Sequence, residues 1–125
     1  MSQSDKSFEY SVRRNGSILI LWFTGVLQES TADLLDNIWN EISDKAEARH
    51  VIIDLSQTKN ITLGAVPAFV KLQKSMRDAK IDIRVCATPN DLKDKLSKLG
   101  VIRGAELFAD LRAAVQGITN FARAS

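Results

Sequence analysis

The chain has 125 residues, is 45% hydrophobic and 26% charged, and carries a formal charge of +2. That is an ordinary globular composition, long enough for one domain with its own core and no covalent staples. The small charge excludes a strong electrostatic pull on nucleic acid, the lone Cys86 excludes a disulfide framework or a cysteine-based metal site, and the lone His50 leaves zinc chemistry or a histidine triad little to work with.

Residues 1–7 are expected to be disordered. The polar start "MSQSDKSF" has no apolar signal segment, and no run approaches the roughly 20 apolar residues of a membrane span, so a cytoplasmic location is expected. Phe8, Tyr10 and Val12 alternate with polar residues and predict a half-buried strand. Asn15-Gly16 predicts a tight hairpin turn. "SILILWFTGVL", Ser17 to Leu27, follows as a strand covered on both faces, with Gly25 its expected end. Ser30 is placed as a helix cap with Asp33 three residues on, and Leu35, Ile38, Trp39, Ile42 and Ala46 recur at helical spacing, giving a helix from Thr31 to about Lys45. Trp39 on that stripe reads as core.

"HVIIDL", His50 to Leu55, is a third buried strand, with His50 at its start structural or solvated. A polar loop follows, and then a helix from about Leu63 to Ala79. Pro67 belongs in its first turn, where N–H groups lack partners, so Thr62 falls immediately before the helix. "IDIRVCA", Ile81 to Ala87, is a fourth strand. Thr88 is placed as the cap of the next helix, with Pro89 in first position and Asp91 closing the box. Leu92, Leu96 and Leu99 form its inner face and Gly100 ends it. Val101 to Phe108 is short and irregular, with room for one edge strand. Asp110 caps a last helix lined by Leu111, Ala114, Val115 and Ile118, and residues 119–125 are a helix end or frayed tail. Strands alternating with helices predict an α/β fold: a single domain over residues 8–118, a mixed, mainly parallel sheet of four or five strands, and about four helices.

Few residues suggest chemistry. Thr62 offers a hydroxyl where a loop becomes a helix, and the plainer expectation is a backbone hydrogen bond there. Leu63 and Val66 beside it suggest an apolar docking surface or simply core. Lys71, Lys74 and Arg77 are spaced three apart, with Lys80 beyond, as a solvated face or a basic stripe beside such a surface. Asp54 at a strand end lacks a paired acid, base or nucleophile, and loop hydrogen bonding explains it better than catalysis. Asp91 and Asp94 beside Lys93, Lys95 and Lys98 read as an ion-paired helix surface. Gly64 and Gly100 are isolated, so no glycine loop cradles phosphate. The glycosylation pattern Asn60-Ile61-Thr62 is accidental without export. Neither an enzyme, a metal site nor a cofactor is expected.

From about Phe8 to Gly117 the order and spacing of these pieces resemble the STAS domain family, the sulfate-transporter and anti-sigma-factor-antagonist domain. The resemblance is carried by Gly25-Val26-Leu27, by "VIIDLS" with its following loop and helix, by "RVCATPNDLKDKLSKLGV" and by "ELFADLRAAV". Stand-alone proteins of the family resemble anti-sigma factor antagonists. The resemblance then implies a regulatory module that docks on an anti-sigma factor or related kinase-fold protein and frees a sigma factor. A kinase phosphorylates a serine in an Asp-Ser-Ser-Gly stretch and ends the interaction; a phosphatase restores it. The implied partner surface is Thr62, Leu63, Gly64 and Val66 with Lys71, Lys74 and Arg77.

The sequence departs from the family at that stretch. Ungapped from Val51, Thr62 falls on the aspartate, Leu63 on the phosphorylated serine, Gly64 on the second serine and Ala65 on the glycine. Leucine has no oxygen to phosphorylate, so the usual phosphoserine switch is not expected, whereas a one-residue slip would place Thr62 on the phosphoacceptor. The alternative function is an accessory or scaffold subunit, of a lipid ABC transporter or a multi-protein signalling complex. A small-molecule binder is a weaker third reading. A homodimer is left open.

Overall fold

A computed structural model describes residues 8–44 and 48–124. The expected disorder of residues 1–7 and the inward place of Ala46 lie outside them. Five strands form one sheet in the order β1 (Phe8–Asn15), β2 (Ile18–Leu27), β3 (His50–Ile61), β4 (Asp82–Cys86), β5 (Leu107–Phe108). β1 is antiparallel to β2, and every other pairing is parallel. Four helices, α1 (Asp33–Asp44), α2 (Val66–Asp78), α3 (Asn90–Lys98) and α4 (Leu111–Ala124), connect or follow the strands.

The sheet has two unequal faces. Leu19, Leu21, Phe23, Val51, Ile53, Leu55, Ile83 and Val85 point to one side, where Leu35, Ile38 and Ile42 of α1, Phe69, Leu72 and Met76 of α2, and Leu92 and Leu96 of α3 close the main core. Alternate residues face the other way, where Ile20, Ile52 and Cys86 meet Ala114 and Ile118 of α4 in a smaller cluster. The expected α/β fold is therefore present, with five strands and four helices.

Several boundaries differ from the sequence reading. The hairpin turn is Gly16-Ser17 rather than Asn15-Gly16: Asn15 is still paired with Ile18, and Gly16 supplies the positive φ of 64°. Gly25 does not end β2. It bends the strand at φ 95° where the register against β3 slips, and β2 runs on to Leu27. The polar stretch after Leu55 is accordingly not a loop but the second half of β3. There Thr58 is buried, and its hydroxyl donates to the carbonyl of Phe23 at 2.8 Å.

Ser30 is not the cap of α1. A short 3-10 turn, Glu29–Thr31, precedes that helix, and the Thr31 hydroxyl accepts from the N–H of Gln28 and donates to its carbonyl, both at 3.0 Å. Thr88 caps nothing either. Pro89 is extended at ψ 145° and is itself the N-cap, so α3 starts at Asn90 and the Thr88 hydroxyl is buried without a partner. Leu99 lies beyond the last turn and is exposed, unlike Leu92 and Leu96. Asp110 does cap α4, its carboxylate accepting from the Ala113 N–H at 2.8 Å.

Candidate functional site

The junction of β3 with α2 is held from beneath. The N–H of Thr62 donates to the Leu27 carbonyl at 2.9 Å, so the ends of β2 and β3 stay paired up to the turn. A 3-10 turn, Leu63–Ala65, then leads into α2, with Pro67 in the helix's first positions, where a missing N–H costs nothing. Ala65 is the residue of the turn that inserts into the core. Leu63, two positions earlier, is consequently turned out and is 67% exposed.

Thr62 is the cap residue of that turn by backbone geometry, with φ −73° and ψ 160°. Its hydroxyl makes no capping hydrogen bond, which corrects the expectation that it serves the free N–H groups. The turn closes through its carbonyl instead, which accepts from the Ala65 N–H at 2.9 Å.

Leu63, Val70 and Leu99 are the large hydrophobic side chains exposed among the described residues. Leu63 and Val70 flank the half-buried Val66 at helical spacing, so an apolar strip begins at the turn and runs along α2. Val70 was not singled out in the sequence, where nothing distinguishes its exposed place from those of the buried Phe69 and Leu72. Gly64 sits against a second turn: a Cβ built on it would lie 3.3 Å from both Cβ and Oε1 of Glu29. Glu29 thus brings a carboxylate beside the apolar strip. Nothing in its sequence position, far upstream, could have signalled that.

The basic stripe is divided by the structure. Lys74 pairs with Asp78 at 3.0 Å and Lys71 approaches Asp36 of α1 at 3.6 Å, both on exposed surface where such pairs hold little energy. Arg77 is different. Its guanidinium reaches both carboxylate oxygens of Glu106, at 2.9 and 3.0 Å, and both side chains are largely covered. Arg77 therefore ties α2 to the turn before β5, unlike the two lysines, whose side chains remain exposed. On α3, Lys95 reaches Asn60 at 3.1 Å rather than a carboxylate.

Asp54 and His50 have structural surroundings. The Asp54 carboxylate accepts from the Ser56 N–H at 2.8 Å at the bulge in β3. His50 meets Asp82 at 3.1 Å on the neighbouring strand. Burial, followed by the nearby charges of Asp54 and Asp110, pushes the Cys86 thiol up to about 12, which makes it a poor nucleophile at neutral pH.

The profile of the STAS domain matches residues 9–114. The chain belongs to the STAS domain family. A variant of RsbS from Moorella thermoacetica superimposes with a TM-score of 0.77 at 13% identity, over 91% of this chain and 97% of that one. A sulfate transporter family protein from Wolinella succinogenes gives 0.76 at 15% identity, over 86% and 88%. An anti-sigma factor antagonist from Mycobacterium paratuberculosis gives 0.74 at 14%, over 90% and 95%. At these identities the likeness is one of fold. No curated protein matches this STAS domain by sequence. Among its described residues no helix is long and apolar enough to cross a membrane.

Proposed function

We propose that this STAS domain is a protein-binding module whose partner docks on the turn and helix after β3, through Leu63, Val66 and Val70 flanked by Thr62, Gly64, Lys71 and Lys74. The observation that carries this is Leu63, a large apolar side chain left 67% exposed at the tip of a well-anchored turn. A centre of apolar contact with charges at its rim is how binding surfaces are commonly built. The partner class the family resemblance favours is an anti-sigma factor or related kinase-fold protein. Aligned without a gap from Val51, Leu63 falls on the family's phosphorylated serine; on that reading docking is constitutive or regulated elsewhere, whereas a one-residue slip would make Thr62 the phosphoacceptor. A phosphate added at this turn would also meet the Glu29 carboxylate that already lies against Gly64.

The experiment is capture of partners from native cells by the wild-type chain and by Leu63→Glu, with identification by mass spectrometry. A kinase-fold or anti-sigma protein held by the wild type and lost by the variant is the expected result. A transporter ATPase or permease would support the accessory-subunit reading instead. Stoichiometric phosphate on Thr62 that abolishes partner binding would overturn the claim that the turn is not a phosphorylation switch.

A further inference from the structure

The outer edge of β1 pairs with no strand among the described residues. β1 is eight residues long, contains no proline, and keeps an unbroken register with β2 from Phe8 to Asn15. Edges of this length are templates for another strand unless something blunts them. The phase of the edge follows from the hairpin. Asn15 and Ile18 flank a two-residue turn and exchange both backbone hydrogen bonds. Alternation then directs the N–H and C=O of Phe8, Tyr10, Val12 and Arg14 outward.

We propose that this edge is a self-association surface, on which β1 of a second copy pairs antiparallel about Ser11. In that register Phe8 meets Arg14 and Tyr10 meets Val12 as hydrogen-bonded pairs. Ser11 faces Ser11 across the two-fold axis, a small residue where the copies come closest. Glu9 of each copy stands opposite Arg13 of the other in the closely spaced, non-bonded positions. Both side chains are exposed and share the face of the sheet that carries Ile20 and Trp22. Sliding the partner by one hydrogen-bonding step puts Glu9 opposite Ser11 or Asn15 and joins no opposite charges. The charge pattern thus selects one register, and the product is a continuous ten-stranded sheet with an isologous interface. The pairing lies on the sheet's outer edge and does not depend on the docking reading for α2.

Sedimentation equilibrium of the full chain tests this. A small interface of paired strands predicts a reversible dimer forming between about 1 μM and 1 mM. Glu9→Arg and Arg13→Glu each create two like-charged pairs and are expected to weaken the dimer roughly tenfold or more. Mixed in equal amounts, the two variants restore opposite pairs and associate as tightly as wild type, as does the double variant with itself. Circular dichroism of each variant is expected to match wild type, since both positions are exposed. A chain that stays monomeric throughout the range overturns the proposal. So does a dimer that neither charge reversal weakens, or protection of the Tyr10 and Val12 amides that arises only when a different protein is added.

Discussion

At the turn before α2, single residues decide what the surface offers. Thr62 and Leu63 are neighbours, and their roles in the structure exchange the roles their chemistry suggests: the hydroxyl bonds nothing in the cap, and the apolar side chain is out in solvent. A threonine before a helix ordinarily predicts a cap worth about 0.5–2 kcal/mol. Here the carbonyl of Thr62 closes the turn, which any residue can do. Thr62→Ala is therefore expected to change stability by no more than about 0.5 kcal/mol in urea denaturation. A loss near 2 kcal/mol would show that the hydroxyl holds the turn after all. The candidate site was legible as far as side-chain type goes, since Leu63 stood out where a serine was expected. Its exposure was not legible, because it depends on Ala65, not Leu63, being the residue that fits the core. Lys74 and Arg77 were indistinguishable for a similar reason: only the fold brings Glu106 within reach of one of them.

Element ends show the same division between what is written locally and what the fold imposes. α3 and α2 finish with one motif. After α3, Gly100 lies at φ 70°, its N–H bonds the Ser97 carbonyl at 3.0 Å, and the Val101 N–H bonds the Leu96 carbonyl at 3.0 Å. After α2, Lys80 lies at φ 67°, with matching bonds to Arg77 and from Ile81 to Met76, each 2.9 Å. Glycine announced the first end in the sequence; lysine in the left-handed region gave no signal. Lys80→Gly is expected to raise stability by up to about 1 kcal/mol, because it relieves the Cβ strain at that position. A fall in melting temperature would show that the lysine side chain contributes more than its backbone costs. Arg77 lies in the last turn of α2 and fixes that helix to the segment before β5. Arg77→Ala or Glu106→Ala is expected to cost about 1–3 kcal/mol, between the surface and buried limits for ion pairs. A double-mutant cycle should return most of that as coupling. Additive losses would assign the cost to packing instead. The alternation of strands and helices was readable because buried strands and striped helices each carry their own period. The second half of β3 was not, since Ser56 to Asn60 is polar and its pairing is with Thr24 to Val26 of β2, across the bend at Gly25.

The molecule as a whole is asymmetric about its sheet. Three helices close one face over a broad apolar core, while among the described residues α4 is the helix that covers part of the other, over Ile20, Ile52 and Cys86. Cys86 lies fully buried beneath that helix, near Asp54 and near Asp110, which caps it. Burial first, and then those two carboxylates, raise the thiol from its ordinary value near 9 to about 12. The sign of the consequence follows from proton binding. Between those two values the unfolded chain has released the thiol proton and the folded chain keeps it. Stability from this group is fully present below pH 9 and is lost as pH rises toward 12, at a slope of roughly 1.4 kcal/mol per pH unit. Tyr10 is also raised, by burial and then by Glu41, so the wild-type profile alone does not isolate the cysteine. Cys86→Ala does. The variant leaves a small cavity and is expected to be less stable than wild type at pH 7–8. Above pH 9 its handicap should shrink steadily, because it has no thiol to ionise. Hydrogen exchange measured across the same range should show α4 loosening in the wild type before α1–α3. Parallel stability profiles for the two proteins from pH 8 to 11 would place the Cys86 thiol outside the titrating core and remove the link between alkaline pH and the α4 face.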